Sequence, residues 1–264
     1  MTITGKTRVY AHIGFPTGHV RTPMLYNGLL EERGIDLVVV PFEVAPENLV
    51  SAVPGFRAWR SLAGVGVTIP HKETMTHLVD ELTPMARLCG ATNVIRRDPD
   101  GRLIGGQFDG IGLVQSLLAL GHKLDGARVL LAGAGGTARA VAFALADAGV
   151  GRLEITNRTR EKAEAILVAV GAAYEHCDAR LYEGDYEFDI VINTTSLGMK
   201  PDDPLPVSVE VLRPGTVVAD AVMAPPETAL LRQAAERRCA RHPGLLMLRA
   251  QFEMTLEFLG LVER

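Results

Sequence analysis

The chain of 264 residues is 47% hydrophobic and 22% charged, with a formal net charge of −4. This is an ordinary globular composition, and the length predicts about two domains. The weak negative charge gives no electrostatic reason to expect nucleic acid or an anionic membrane as a partner, so a small molecule is the expected partner.

The cysteines and histidines predict neither disulfides nor a metal site. Cys89, Cys177 and Cys239 are odd in number and far apart in the chain, and no two histidines have the spacing of metal ligands. The first residues are polar, and no apolar run is long enough to span a membrane. We therefore expect a cytoplasmic protein with reduced thiols.

The N-terminal region alternates between strands and helices. A strand is predicted at residues 8–14 and a helix from Pro23 to Gly34, and the β-branched run at residues 35–42 is typical of a buried parallel strand. The helix is expected to turn four apolar side chains inward: Met24, Leu25, Leu29 and Leu30. This order of elements predicts an α/β fold.

Lys72 follows a strand predicted at residues 62–68, which comes after a helical region at 46–60 that is interrupted at Pro54. Pro70 fits a helix start and would place Lys72 in the first turn. A cation is unfavourable at a helix N-terminus, so stability alone does not account for this lysine. Lys72 is therefore a candidate for chemistry.

Asp109 lies at another junction between a strand and a helix. A helix near residues 80–87, a strand over 89–95 and a tight turn at 98–101 lead to a strand over 103–109 and a helix over 110–120. An aspartate that opens a helix is commonly an N-cap, which is the structural alternative to a catalytic role.

Residues 128–144 read as a strand, a glycine turn and a helix. Gly133, Gly135 and Ala138 have the spacing of dinucleotide-binding turns. The first glycine makes the turn, the second admits the pyrophosphate, and the third small residue allows close packing of helix on strand. The helix N-terminus would face the phosphates, whereas the alternative is an ordinary connection between a strand and a helix.

The loop after the next strand predicts the cofactor. The strand at 152–157 ends where an acid that binds the ribose of NAD is expected, but the chain has Asn157, Arg158 and Thr159 there. A guanidinium suits the 2′-phosphate of NADP, which an acid would repel. NADP is therefore the predicted cofactor, and a solvated basic loop is the alternative.

The remaining elements predict a doubly wound domain. Helices near 161–170 and 228–239 alternate with strands at 188–193 and 216–222. Right-handed crossovers would bring four loops to the carboxyl edge of this sheet, those at Gly133, Asn157, Asn193 and Met223. A last helix, near 246–259, carries a stripe that faces a core, with Gln251 beside it: Leu248, Phe252, Leu256 and Leu259.

Ordered motifs along nearly the whole chain resemble those of the shikimate dehydrogenase family. They are Ile13-Gly-x-Pro16, Tyr26-Asn27, Gly66-Val-Thr-Ile-Pro-His-Lys72, Gly90-Ala-Thr-Asn93, Asp109-Gly-x-Gly112, Gly133-Ala-Gly-Gly136, Asn157-Arg-Thr159, Asn193-Thr-Thr-Ser-Leu-Gly-Met199, Asp220 and Gln251. The resemblance implies a two-domain α/β fold, with an α/β substrate-binding domain at 1–108 and 245–264 and a doubly wound Rossmann NADP-binding domain at 109–244. The C-terminal helix would return to the substrate domain.

The resemblance also implies an activity in aromatic amino acid biosynthesis, the NADP-dependent interconversion of shikimate, or a closely related cyclic hydroxy acid, and its 3-dehydro ketone. Oxidising a secondary alcohol needs a proton acceptor at the oxygen while hydride leaves the carbon. The lysine and aspartate that act there in the family correspond to Lys72 and Asp109. Lys72 is the expected acid/base, because partial desolvation can make a lysine a usable base, while a neighbouring carboxylate positions it and moderates the pKa shift.

The matching motifs imply the other site residues. Substrate contacts are expected from Thr22, Thr68, Asn93 and Gln251. Cofactor contacts are expected from Gly133, Ala134, Gly135, Gly136, Thr137, Asn157, Arg158, Thr159, Thr194 and Met223. Met199 and Met223 are interpreted as apolar walls near the nicotinamide, and His12 and His71 as structural residues.

Some positions depart from the pattern of the family. Its carboxylate-binding Ser-x-Ser appears as Val20-Arg21-Thr22, its Asn-Val-Thr as Gly66-Val67-Thr68, its Asn-Thr-Asp as Gln107-Phe108-Asp109, and a common tyrosine as Met223. A carboxylate that loses donors binds less well, so we expect shikimate to bind weakly or a related hydroxy acid to replace it. Arg21 is interpreted either as a partner of the carboxylate or as a solvated loop cation.

Three alternatives remain at this point. A quinate-type dehydrogenase preferring NAD is disfavoured by Arg158, and a non-catalytic NADP-binding regulatory module is disfavoured by the presence of both Lys72 and Asp109. A folate-type dehydrogenase of similar layout is disfavoured by the loop motifs. A monomer and a homodimer are both compatible with the composition.

Overall fold

The computed structural model describes residues 2–184 and 187–263, and the chain divides into two compact units. The first unit consists of the described residues up to Phe108 together with those from Gln251 onward, and the second runs from Asp109 to Ala250. The units thus divide inside the last helix, whereas the sequence motifs place the domain bound at residue 245. Met1 and Arg264, which the predicted domains include, lie outside the described residues.

The regular elements of the described residues alternate along most of the chain. The strands are β1 (Arg8–Gly14), β2 (Leu37–Glu43), β3 (Leu62–Val67), β4 (Glu81–Leu82), β5 (Val94–Arg97), β6 (Leu103–Gly106), β7 (Arg128–Ala132), β8 (Arg152–Thr156), β9 (Asp178–Leu181), β10 (Ile190–Asn193), β11 (Val217–Asp220) and β12 (Ala240–Pro243). The α-helices are α1 (Thr22–Glu32), α2 (Leu49–Ala58), α3 (Pro84–Cys89), α4 (Asp109–Ala119), α5 (Gly136–Asp147), α6 (Arg160–Ala173), α7 (Ala229–Glu236) and α8 (Gly244–Phe258). Short 3-10 turns lie at Pro46–Asn48, Thr74–His77 and Val209–Val211.

The first unit is built on one sheet in the order β2-β1-β3-β5-β6-β4, which we call the first sheet. The β1 strand pairs in parallel with β2 and β3, and β5 pairs antiparallel with β3 and β6. The tight turn predicted at 98–101 joins β5 to β6, with the Gly101 N–H donating to the Asp98 carbonyl at 2.9 Å.

The two faces of the first sheet differ in chemistry, because successive side chains of a strand point to opposite faces. One face is apolar and packs on α2, with a core of Ala11, Ile13, Leu49, Val53, Phe56, Leu62, Val65, Val67, Met75, Ile95 and Leu103. The other carries Gly14, Gly64, Gly66 and Gly106, and we call it the glycine face. The C-terminal residues approach it closely: a Cβ at Gly106 would lie 3.2 Å from the Phe258 ring, and one at Gly64 would overlap the Leu259 side chain.

Two expectations for the helices of this unit are wrong. Met24 is 68% exposed, because the buried stripe of α1 follows Thr22, Tyr26 and Leu30 at a spacing of four residues. The helix α2 is not interrupted at Pro54 but continues to Ala58, because burial of Leu49, Val53 and Phe56 holds it against the sheet while Pro54 faces outward.

Two further expectations for this unit are wrong, one about a helix boundary and one about the burial of a strand. The helix predicted near 80–87 begins only at Pro84, because Thr83 caps it by accepting the Ala86 N–H, and residues 81–82 pair with β6 instead. The strand at 35–42 is an edge strand with alternating burial rather than a strand buried on both faces.

The second unit contains a six-stranded parallel sheet in the order β12-β11-β10-β7-β8-β9. The loops that follow β7, β8, β10 and β11 therefore lie at one edge of it, as the sequence predicted. The strands β9 and β12, which form the two edges of the sheet, were not predicted.

Within residues 2–184 and 187–263, no helix is long and apolar enough to cross a membrane. Over the same residues, no group of three His, Cys, Asp or Glu side chains is arranged to hold a metal ion. The three cysteines, Cys89, Cys177 and Cys239, are buried thiols.

Candidate active site

The glycine turn between β7 and α5 has the geometry of a phosphate-binding turn. Gly133 has a φ of 114°, and a Cβ there would lie 2.6 Å from Thr194 Oγ1, so only glycine fits. Thr194 in turn donates to the Ala132 carbonyl at 2.7 Å. A Cβ at Gly135 would meet nothing within 4 Å, which leaves open space at the N-terminus of α5. That space fits an anionic group facing the first N–H groups of the helix.

The loop after β8 presents a guanidinium beside this turn. The Gly133 N–H donates to the Thr156 carbonyl at 2.8 Å, which ties the loop to the turn, and Asn157 closes the loop by donating to the Thr159 carbonyl at 2.8 Å. Arg158 is exposed and has no ion-pair partner among the described residues, whereas Arg160 pairs with Glu164 at 2.8 Å. Arg158 is thus available to a phosphate in a way that Arg160 is not.

Asp109 is the first residue of α4 and lies against the start of α5. Thr137 Oγ1 donates to Asp109 Oδ2 at 3.3 Å, and the Asp109 carboxylate is buried. The approach is possible because Gly110 follows, where a Cβ would overlap the Ala140 carbonyl of α5. The structure therefore brings the predicted catalytic carboxylate to a residue of the predicted cofactor turn, within the second unit.

A buried polar cluster at the ends of β10 and β11 holds the loop that carries Met223. Asp220 accepts hydrogen bonds from Thr228 Oγ1 at 2.6 Å, Asn193 Nδ2 at 2.9 Å and the Val222 N–H at 3.0 Å. Burial raises the pKa of Asp220 above its usual value, although these donors act in the opposite direction. The residues of this cluster were not among the predicted site residues. The indication of it in the sequence was that Asp220 matches the motif pattern described above.

Three of the predicted substrate residues lie at the edge of the first sheet where β1 and β3 end. Asn93 donates from Nδ2 to Gln251 Oε1 at 2.9 Å and accepts the Phe108 N–H at 2.8 Å. The Thr68 methyl lies on the glycine face, 2.6 Å from where a Cβ at Gly14 would be. Thr22, the fourth, is buried in the first turn of α1.

The expected helix start at Lys72 is wrong. No α-helix begins at Pro70, because the chain turns back there, with the His71 N–H donating to the Thr68 carbonyl at 3.0 Å. The buried His71 ring anchors this turn through Nε2, 2.7 Å from the Val44 carbonyl. The argument from the helix dipole for Lys72 therefore fails. Its position is instead fixed by its carbonyl, which accepts the Thr92 N–H at 2.9 Å, next to Asn93.

The predicted residues thus fall into two sets. Lys72, Thr22, Thr68, Asn93 and Gln251 belong to the first unit. Asp109 and the predicted cofactor residues belong to the second. Of the departures from the family pattern, Phe108 packs its ring on Phe258 with centroids 5.3 Å apart, and Gln107 is buried.

Comparison with known proteins identifies similar chains over nearly the full length. A family model described as the shikimate dehydrogenase substrate binding domain matches residues 12–95, and one described as shikimate / quinate 5-dehydrogenase matches residues 113–199. The shikimate dehydrogenase (NADP(+)) of Citrifermentans bemidjiense is 40% identical over 262 residues, covering 96% of this chain and 90% of that protein.

Two solved structures show the same similarity in three dimensions. A shikimate dehydrogenase in complex with NADP+ has a TM-score of 0.90 and 36% identity, covering 99% of this chain and 93% of that one. The ligand-free 5-ketofructose reductase of Gluconobacter sp. strain CHM43 has a TM-score of 0.84 and 32% identity, covering 97% of this chain and 94% of that one.

Proposed function

The chain belongs to the shikimate dehydrogenase family, and we propose that it interconverts shikimate, or a closely related cyclic hydroxy acid, and its 3-dehydro ketone, with NADP as cofactor. The observation that carries the proposal is the hydrogen bond from Thr137 to Asp109. It ties a carboxylate suited to proton handling to the turn that is shaped for a dinucleotide.

Each unit supplies one part of this function. In the proposal the second unit holds NADP, with the glycine turn at the pyrophosphate, Arg158 at the 2′-phosphate and Met223 as an apolar wall. The first unit holds the substrate through Thr22, Thr68, Asn93 and Gln251. Asn93 and Gln251 orient each other, so their remaining amide atoms are fixed in direction before the substrate binds.

Bound NADP accepts or supplies the hydride. Lys72 Nζ takes the proton from the substrate hydroxyl as the alcohol becomes a ketone, and returns it in the reverse direction. The Asp109 carboxylate favours a positive charge near the reacting oxygen and is itself held by Thr137. General acid/base catalysis of this kind contributes about 10²- to 10⁴-fold to a rate.

The direct test is the initial rate of NADP+ reduction by shikimate, with Lys72→Ala compared with the wild type. We expect kcat to fall by about 10²- to 10⁴-fold while NADPH affinity, measured by fluorescence titration, is unchanged. Lys6→Ala, an exposed lysine of the same unit, is the control and should retain full activity. Equal rates for Lys72→Ala and the wild type would contradict the assignment.

The cofactor part of the proposal has its own matched pair of variants. Arg158→Ala should weaken binding of NADP+ by about 10- to 100-fold, the value of one or two hydrogen bonds to a charged group, without changing the affinity for NAD+. Arg160→Ala, whose guanidinium already pairs with Glu164, should change neither affinity. An equal loss for NADP+ and NAD+ would place Arg158 away from the 2′-phosphate.

A keto sugar is the second candidate for the substrate. Val20 and Gly66 lack the polar side chains that the family uses, and the similar Gluconobacter protein is a 5-ketofructose reductase. A substrate without a carboxylate would not need those donors. Oxidation of NADPH by 5-ketofructose, run beside reduction of NADP+ by shikimate and quinate, ranks the candidates by kcat/KM.

A further inference from the structure

The volume next to Gly66 on the glycine face is filled by two polar aromatic side chains from the neighbouring strand. His12 of β1 pairs with Gly66 of β3, so both residues point to the same face. A Cβ at position 66 would overlap His12 Nδ1, and would lie 3.0 Å from His12 Cε1 and 2.8 Å from the Tyr10 hydroxyl. The imidazole and the phenol therefore take the place of a side chain at position 66.

This place lies close to the predicted substrate residues of the first unit. Thr68 directly follows β3, two residues after Gly66 and on the same face of the sheet, a rise of about 7 Å. The next residue, Val67, donates its N–H to the Asn93 carbonyl at 2.8 Å, so Asn93 lies at the same level of the sheet. His12 is 8% exposed and sits one step inward from the edge that Thr68 and Asn93 form.

The side chains of Tyr10 and His12 beside Gly66 are more polar than packing alone requires. The opposite face fills the same level of the sheet with Ala11, Val65 and Val67, which have no polar atoms. Placing polar side chains instead of apolar ones in a buried layer costs free energy. A histidine and a tyrosine beside a glycine therefore indicate a surface selected for recognition rather than for filling space.

We propose that His12 is a residue that contacts the substrate and determines specificity: its imidazole replaces a side chain at position 66 and hydrogen-bonds to an oxygen substituent of the substrate. Tyr10 supports the imidazole, with the two rings edge to face and their centroids 6.4 Å apart. The inference rests on the proposed function, because it assigns a further contact within the same substrate site.

The test uses three variants of the full chain and three probes, shikimate, quinate and 5-ketofructose. His12→Val removes the hydrogen bond, His12→Asn keeps a donor and an acceptor, and the double variant His12→Val/Gly66→Asn moves the polar group to the other strand. We expect His12→Val to lower kcat/KM for the preferred probe by about tenfold and His12→Asn to recover part of it. The double variant should change the ratio of kcat/KM between two probes by about tenfold or more.

Thermal unfolding and NADPH titration separate this role from a structural one. A variant set that lowers Tm but leaves the ratios of kcat/KM between probes unchanged would overturn the proposal. If the wild type binds NADP(H) but turns over none of the probes, the proposed function fails, and calorimetric titration of the same probes then decides the inference. Probe affinities that are equal in His12→Val and the wild type, or too weak to measure in both, would overturn it.

Discussion

Asp220 is a buried carboxylate whose hydrogen bonds allow a specific prediction about the stability of the fold. Its oxygens accept three hydrogen bonds, yet burial raises its pKa. Asp220→Asn places an NH₂ group against at least one of these donors, so we expect a loss of about 2 kcal/mol in the free energy of unfolding. Urea unfolding at pH 7 measures it. Asp36→Asn, at an exposed position, is the control and should change stability by less than about 0.5 kcal/mol.

The same variant has a pH dependence of known sign. A carboxyl whose pKa is raised by folding holds its proton longer in the folded state, so its contribution to stability falls as pH rises from the ordinary value of 3.8 through the raised one. The asparagine variant lacks this titration. The difference in unfolding free energy between the wild type and Asp220→Asn should therefore grow as pH falls from 7 towards 4. A difference that shrinks over this range would contradict the raised pKa.

At the scale of elements, the glycine face determines how closely the C-terminal residues can approach the first sheet. A Cβ at Gly64 would overlap the Ile95 carbonyl and the Leu259 side chain, and the carbonyl belongs to the paired strand β5 and cannot move alone. Gly64→Ala should lower the free energy of unfolding by about 3 kcal/mol or more. Gly28→Ala, in the middle of α1 with nothing within 4 Å, should instead raise it by about 0.5–1 kcal/mol. Thermal unfolding of both variants checks this, and equal shifts in Tm would contradict it.

The elements also show why some of the structure could be predicted and some could not. The inner strands β7, β10 and β11 are continuous apolar runs, which the sequence displays directly. The edge strands β9 and β12 are partly exposed and contain charged or polar residues, so they lack that signal. Pro70 is compatible with both a helix start and a turn. The turn forms because the His71 ring is held by the Val44 carbonyl, which is distant in sequence.

Some contacts of the candidate site could likewise be predicted from the sequence, and others could not. The glycine turn and the loop at Arg158 were predicted because their geometry is local, set by residues that are adjacent in the chain. The contact of Asp109 with Thr137 depends on α4 packing closely on α5, and that of His12 with Gly66 depends on the register of β1 and β3. Neither helix packing nor register is a property of a short stretch of sequence, so the first contact was not foreseen and His12 was given a structural role.

At the scale of the whole molecule, the first unit is completed by residues that follow the second unit in the chain. Gln251 accepts a hydrogen bond from Asn93, Phe252 packs edge-on against Tyr26 with ring centroids 4.9 Å apart, and Glu253 pairs with Arg33. The last residues are therefore part of the fold of the first unit and of its proposed substrate site. A ligand of that site should affect the N-terminal and the C-terminal segments of the first unit together.

This arrangement predicts two separate footprints in hydrogen exchange. NADP+ alone should slow amide exchange in the turn at 133–137 and the loop at 157–159, because anion binding at these N–H groups must be broken before they exchange. Shikimate alone should slow exchange in peptides containing Thr68, Asn93 and Gln251, with the segment from 251 onward responding at the same concentration as the N-terminal segments. Arg158→Ala is the control: at an NADP+ concentration near the wild-type Kd it should lose the NADP+ footprint, and with shikimate it should keep the shikimate footprint. Slowing by shikimate confined to the second unit would contradict the assignment of substrate to the first.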